Sequence, residues 1–100
     1  MKGRDAIREV FSKGKRIGCR GARLYLLPNG LPHNRICFTF PRNFGNAVER
    51  NRAKRLGREA YRNLKPLLIG GYDLIFLAYP EIEGHAGQLK HLLAKGGLLN

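Results

Sequence analysis

Acidic residues are scarce in this chain of 100 residues, which has seven Asp and Glu against 19 Lys and Arg. A hydrolytic centre with two metal ions needs converging carboxylates, and the sequence has no D-x-D or D-x-x-E pair to supply them. The three histidines have neither H-E-x-x-H spacing nor a nearby cysteine ligand. The phosphate-cradling pattern G-x-x-x-x-G-K-[ST] is also absent. We therefore predict that the polypeptide has no catalytic residues of its own and holds no metal directly.

Cysteines and long apolar runs are scarce as well. Cys19 and Cys37 lack C-x-x-C spacing, so we interpret them as small buried thiols, neither a disulfide framework nor half of a zinc site. No apolar run approaches the length that spans a bilayer, and the first residues lack the apolar region of a signal peptide. We expect a cytoplasmic protein with no membrane partner.

Positive charge is abundant and unevenly placed. Residues 1–65 hold 17 Lys and Arg against four acids, whereas residues 66–100 hold two against three. The length and the 43% hydrophobic content predict a single globular domain, 1–100. A formal net charge of +12, clustered on one part of a small domain, favours binding to the phosphates of RNA or DNA.

The stretch 44–62 predicts a helix around which the rest of the chain is organised. Asn46 is a favourable N-cap, and Glu49 three residues later completes a capping box. At about 100° per residue a narrow apolar face is separated from a broad cationic one. The apolar face holds Ala53, Leu56, Ala60 and Leu64; the opposite face holds Asn51, Lys54, Arg55, Arg58 and Arg62, with Arg50 and Arg52 on the flanks.

This charge pattern differs from that of an ordinary solvated helix, which mixes signs to form i,i+4 pairs. Residues 47–62 carry six Lys and Arg but only two acids, Glu49 and Glu59. A purely solvated face is the alternative, but most of these cations have no helical partner. The helix is also flanked by predicted strands, which disfavours a helix-turn-helix DNA reader.

The remaining pattern predicts an α+β two-layer sandwich with the order α-β-β-(β)-α-β-α. We expect an antiparallel hairpin between strands 22–27 and 35–40, because Asn29-Gly30 is a favourable turn between them. The nearly continuous apolar run 72–79 predicts a strand buried on both faces beside a crossover through the basic helix. The other predicted elements are helix 4–13, a loop or extra edge strand at 15–20, and helix 85–95.

Several segments resemble those of one known family. G-N-A-V-E-R-N-R-A-K-R-L-G-R-E at 45–59 resembles the arginine-rich RNR signature of the bacterial ribonuclease P protein subunit. D-A-I-R-E-V-F-S-K-G at 5–14 is similar to the family's first helix, and L-Y at 24–25 to its first main strand. Segments 35–40 and 72–78 resemble the strands that enter and leave the signature. The resemblance covers nearly the whole chain.

The resemblance implies a small partner of a large catalytic RNA that removes 5′ leaders from precursor tRNA in a Mg²⁺-dependent hydrolysis. The RNA would carry the catalysis and most of the Mg²⁺, with Asn51 near one RNA-bound ion. Phe11 and Tyr25, with Arg23 beside them, would line a cleft for the single-stranded leader; from the residues alone, ordinary packing is the simpler reading of the two aromatics. The crossover would be left-handed. The RNA-binding positions would be Arg42, Arg50, Asn51, Arg52, Lys54, Arg55, Arg58 and Arg62.

The sequence departs from the family pattern at the cleft. Ile7 stands where a second aromatic is common, and Tyr79-Pro80 replace basic residues expected after the last strand. A ribosomal or other structured-RNA-binding protein without a processing role is the alternative function. A free-standing protein nuclease is a third, disfavoured by the missing carboxylates.

Overall fold

The computed structural model describes residues 4–41, 45–79 and 86–99. A short 3₁₀ turn (Lys65–Leu67) follows the basic helix, which ends at Leu64. The α+β class is confirmed, and residues 15–19 form the additional edge strand. The elements are α1 (Arg4–Lys13), β1 (Lys15–Cys19), β2 (Ala22–Pro28), β3 (Arg35–Thr39), α2 (Ala47–Leu64), β4 (Tyr72–Ala78) and α3 (Ala86–Lys95).

The four strands form one sheet in the order β1-β2-β4-β3. The predicted hairpin between β2 and β3 is wrong, because β4 lies between them and pairs antiparallel with β2 and parallel with β3. The hairpin of this sheet is instead β1–β2, whose turn contains Gly21 at φ 84°. That positive φ suits glycine, which has no Cβ to clash.

The central position of β4 follows from its sequence. Leu74 and Ile75 are fully buried although they point to opposite faces, so this strand needs cover on both sides. The loop from β2 to β3 crosses the start of β4 and is attached to it by two hydrogen bonds. The Asn29 N–H donates to the Gly71 carbonyl at 2.9 Å, and the Tyr72 N–H donates to Asn34 Oδ1 at 2.8 Å.

Helices lie on both faces of the sheet. The main core lies between one face and helices α2 and α3, and it includes Leu24, Leu74, Phe76 and Leu92. Alternation along the strands places Tyr25 and Ile75 on the opposite face, where α1 buries Val10. The hand of the connection from β3 through α2 to β4 stays a prediction.

Helix α2 begins as predicted, since Asn46 Oδ1 accepts the Glu49 N–H at 2.9 Å. Its buried face is rotated from the prediction: Leu56 is 54% exposed, whereas Tyr61 is only 8% exposed. The cause is Gly57, which lies directly on the Phe38 ring. A Cβ added to Gly57 would be 2.9 Å from two carbon atoms of that ring. The helix therefore contacts β3 through its glycine, and Leu56 turns toward solvent.

Candidate nucleic-acid interface

The exposed side of α2 carries a cationic ridge, by which we mean Arg52, Arg55, Arg58 and Arg62. All four side chains are exposed, and Asn51 is exposed among them. They lie on the side of the helix away from the core because the small residues Ala53, Gly57 and Ala60 are the ones that approach the sheet. The structure shows the predicted outward direction for Arg55, Arg58 and Arg62, and Arg52, predicted on a flank, is exposed beside them.

Two other predicted RNA-binding residues lie at the margin of the ridge. Lys54 was predicted on the outward face but is half-buried, because the buried side of α2 is rotated from the prediction. Arg50 is also half-buried, and its Nη2 donates to the Pro41 carbonyl at 3.2 Å. Arg50 therefore also links α2 to the segment that precedes it. Arg42 lies outside the described residues.

The ridge is not neutralised within the described part of the chain. The ion pairs there join Lys13 to Glu9 and Arg35 to Asp73, and neither pair involves the ridge. Glu49 and Glu59, the two acids of α2, are exposed and form no ion pair with these arginines among the described residues. Unpaired guanidinium groups in a row favour binding to a polyanion.

The opposite face of the sheet carries an aromatic cleft, by which we mean Phe11, Tyr25 and Arg23. The rings of Phe11 and Tyr25 meet edge to face, with centroids 4.8 Å apart and an interplanar angle of 68°. Phe11 is 44% exposed, whereas its neighbour Val10 is fully buried. Val10 is thus the core residue of α1, and simple core packing does not account for Phe11.

Two residues of this face were not found by sequence reasoning. Arg16 of β1 is directly opposite Tyr25, so both side chains lie on the same face of the sheet. Tyr79 follows β4, and the Arg23 guanidinium carbon lies 5.8 Å from the centroid of its ring. Strand pairing brings both residues to this face, and the sequence alone does not reveal how the strands pair. Ile7, which stands where the family pattern has a second aromatic, is half-buried on α1.

A half-buried ion pair joins the starts of the two parallel strands β3 and β4. Arg35 and Asp73 are partners in the parallel register, and Arg35 donates from Nε and Nη2 to the two carboxylate oxygens at 2.7 and 2.6 Å. Asn29 Nδ2 adds a third hydrogen bond to Asp73 at 2.9 Å. The Arg35 hydrogen bond holds the pKa of Asp73 below its ordinary value, against the opposing effect of burial, and the same bond raises the pKa of Arg35. Sequence reasoning assigned Asp73 no role.

The described residues offer neither a metal-binding cluster nor a membrane span. Among residues 4–41, 45–79 and 86–99, no three His, Cys, Asp or Glu side chains are grouped to hold a metal ion. Over the same ranges, no helix has both the length and the apolarity needed to cross a bilayer. Cys19 and Cys37 are free thiols, each half-buried.

A cationic ridge on one face of an α+β sheet and an aromatic cleft on the other define a small, basic nucleic-acid-binding protein. Comparisons with known proteins narrow this class. The family model described as Ribonuclease P matches residues 1–95. The ribonuclease P protein component of Caldanaerobacter subterraneus subsp. tengcongensis is 38% identical over 96 residues, covering 95% of this chain and 83% of that protein.

A second relative and a solved structure agree with this match. The ribonuclease P protein component of Natranaerobius thermophilus is 42% identical over 91 residues, and the match covers 88% of this chain and 79% of that protein. The Staphylococcus aureus RNase P protein has the same fold, with a TM-score of 0.87 at 25% identity, covering 100% of this chain and 96% of that one. The chain therefore belongs to the ribonuclease P protein family. The family predicted from the RNR signature is confirmed, and the ribosomal alternative is not favoured.

Proposed function

We propose that this chain binds the catalytic RNA of ribonuclease P through its cationic ridge and the 5′ leader of precursor tRNA through its aromatic cleft. The observation that carries the proposal is the placement of these two surfaces on opposite faces of one sheet. Leu24 and Tyr25 are neighbours on β2, yet one faces the core beneath α2 and the other faces the cleft. A protein of this shape can contact two RNA segments at once.

The two surfaces have different chemistry, which suits different RNA partners. The ridge offers charge on a rigid helix, as recognition of the phosphates of a folded RNA requires. The cleft offers aromatic rings beside arginine, and single-stranded RNA is held by stacking its bases on rings while cations neutralise its backbone. A leader is single-stranded, so it fits the cleft better than a duplex does.

Positive charge gives the protein a physical role in assembly. The catalytic RNA and the precursor tRNA are both polyanions that repel one another. A protein of net charge +12 between them offsets this repulsion, which otherwise requires a high concentration of Mg²⁺. The protein should therefore matter most at low Mg²⁺ and little at high Mg²⁺.

The bond-breaking chemistry belongs to the RNA in this proposal. The donor set of the described residues does not fit a protein-held Mg²⁺, because five acids are spread over α1, α2 and β4 and one of them, Asp73, is engaged by Arg35. Asn51 is exposed among the arginines of the ridge. In this proposal it approaches a Mg²⁺ ion that the RNA holds. Cleavage of precursor tRNA to mature 5′ ends would take place in the cytoplasm.

The proposal is tested by precursor-tRNA cleavage at low Mg²⁺ with the catalytic RNA, the protein, or both. We expect stimulation only when both are present, and a loss of the protein's advantage as Mg²⁺ rises. Cleavage by the protein alone would show that it is a nuclease in its own right. If RNA and protein together cleave no faster than RNA alone, the protein is a structured-RNA-binding protein without a processing role.

A further inference from the structure

Glu59 lies within the cationic ridge and has no role in the preceding proposal. At about 100° per residue it projects between Arg52 and Arg55 around the axis of α2. Arg55 is one turn before it and Arg62 one turn after it, at the spacings that favour ion pairs. Glu59 is nevertheless exposed and forms no ion pair or hydrogen bond among the described residues. The ridge therefore presents one carboxylate to solvent together with its arginines.

The other acid of α2 has a structural explanation that Glu59 lacks. Glu49 lies in the first turn, where the helix dipole favours negative charge. Its side chain folds back over the start of the helix, so that a Cβ added to Gly45 would be 2.7 Å from Glu49 Oε2. Glu59 lies about three turns further along, where the dipole at the N-terminus no longer acts. Neither the helix start nor its dipole accounts for a carboxylate at this position.

A carboxylate has a distinct effect on a surface that binds RNA. Arginines that contact phosphates supply affinity but little selectivity, because every RNA presents phosphates. A carboxylate repels a phosphate placed against it, yet it accepts a hydrogen bond from an exocyclic amine of a base or from a ribose 2′-hydroxyl. Selective interfaces combine an unfavourable contact for wrong partners with a favourable contact for the right one. Glu59 can therefore discriminate between RNAs that the arginines alone would bind equally.

We propose that Glu59 determines the specificity of the ridge: it accepts a hydrogen bond from an amine or a 2′-hydroxyl of the catalytic RNA, and it repels the phosphates of other RNAs. The inference rests on the proposed function, since the ridge must bind the catalytic RNA. The arginines supply most of the affinity, and Glu59 selects which folded RNA can approach the helix closely. Loss of the carboxylate should tighten binding to unrelated RNA and weaken binding to the catalytic RNA.

The test measures the affinity of the whole chain for the catalytic RNA and for an unrelated folded RNA of the same length, at one salt concentration. Glu59→Ala should bind the unrelated RNA about twofold more tightly and the catalytic RNA about fivefold more weakly, so selectivity falls about tenfold. Glu59→Gln keeps a carbonyl acceptor without the charge and should lose about threefold in selectivity. Alanine and glutamine favour helices and Glu59 is exposed, so circular dichroism should show both variants folded.

A matched control and substitutions in the RNA separate a specific contact from a general effect of charge. Glu49→Gln removes the same charge from the same helix, outside the ridge, and should leave the selectivity unchanged. In the catalytic RNA, 2′-deoxynucleotides remove the hydroxyl, and base analogues that lack an exocyclic amine remove the amine. At one position, one of these two substitutions should weaken binding of the wild-type protein but not of Glu59→Ala, which identifies the donor.

A parallel gain in affinity for both RNAs in Glu59→Ala would overturn the inference, because the carboxylate would then only repel phosphates. An equal loss of selectivity in Glu49→Gln and Glu59→Gln would overturn it too, as would the absence of any RNA substitution whose effect depends on Glu59. The proposed function survives these results as long as the wild type prefers the catalytic RNA. If the wild type binds both RNAs equally, the proposed function fails, and the role of Glu59 fails with it.

Discussion

The ion pair between Arg35 and Asp73 should respond differently to the loss of each partner. The Asp73 side chain is 7% exposed and that of Arg35 is 36% exposed. Arg35→Met leaves the buried carboxylate with only the Asn29 hydrogen bond, at 2.9 Å. Breaking a fully buried pair in this way costs about 3–5 kcal/mol. Water can reach this site from the Arg35 side, so we expect a lower cost than for a fully buried pair, but a higher one than for Asp73→Asn.

Asp73→Asn should cost less, about 1 kcal/mol, because the amide can still accept a hydrogen bond and the released guanidinium reaches water. The difference in free energy of unfolding between the wild type and Asp73→Asn should also depend on pH. Since the pKa of Asp73 is lowered in the folded protein, the pair stabilises the fold above the unfolded pKa of about 3.9 and this stabilisation is lost as pH falls through the folded value.

Urea unfolding, followed by circular dichroism at pH values from 7 to 3, measures both effects. The free energy of unfolding at pH 7 should decrease in the order wild type, Asp73→Asn, Arg35→Met. The gap between wild type and Asp73→Asn should be constant at neutral pH and should narrow progressively as pH falls below about 4. Equal costs for the two variants, or a gap that does not change with pH, would refute this reasoning.

Two further predictions follow from positions that have a matched control. Gly57→Ala should destabilise the protein by about 1 kcal/mol, because overpacking against the aromatic ring beneath it exceeds the gain in helix propensity. Gly87→Ala in α3 should be neutral or stabilising, because an added Cβ there meets nothing within 4 Å. Thermal unfolding measures the change in melting temperature of both variants. Equal changes would argue against close packing of Gly57 on the Phe38 ring. Arg16→Ala should weaken binding of leader-bearing substrate about threefold to tenfold because Arg16 faces the aromatic cleft. Lys15→Ala, on the other face of the same strand, should not, and equal losses in the two variants would indicate a nonspecific effect of charge.

Local features of the fold could be predicted from the sequence because short-range physics decides them. Asn46 caps α2 through a hydrogen bond to the third residue after it, and the apolar run of β4 is buried on both faces. The prediction that β2 pairs with β3 was wrong, because it relied on the Asn29-Gly30 turn, which indicates a change of chain direction but not which strands pair. The placement of β4 between the two strands depends on long-range burial that no local pattern records.

The site shows the same division. Most of the ridge could be predicted, because helical spacing alone places Arg55, Arg58 and Arg62 on one face, with Arg52 on its flank. The buried side of α2 was predicted less well, since the contact between Gly57 and Phe38 rotates it toward Tyr61. Arg16 and Tyr79 could not be assigned to the cleft, because only strand register and the end of β4 bring them to that face.

The salt dependence of binding to the catalytic RNA tests the role of the cationic ridge most directly. Changing Arg55 and Arg58 together to alanine should weaken binding and lower the slope of log affinity against log salt by about 1–2, because two phosphate contacts are lost. The control Arg4→Ala with Arg8→Ala removes the same charge from exposed positions on α1 and should leave the slope near the wild-type value. Circular dichroism should show all three proteins equally folded. Equal slopes for the two double variants, or unfolding of the Arg55 and Arg58 variant, would contradict a ridge that binds RNA.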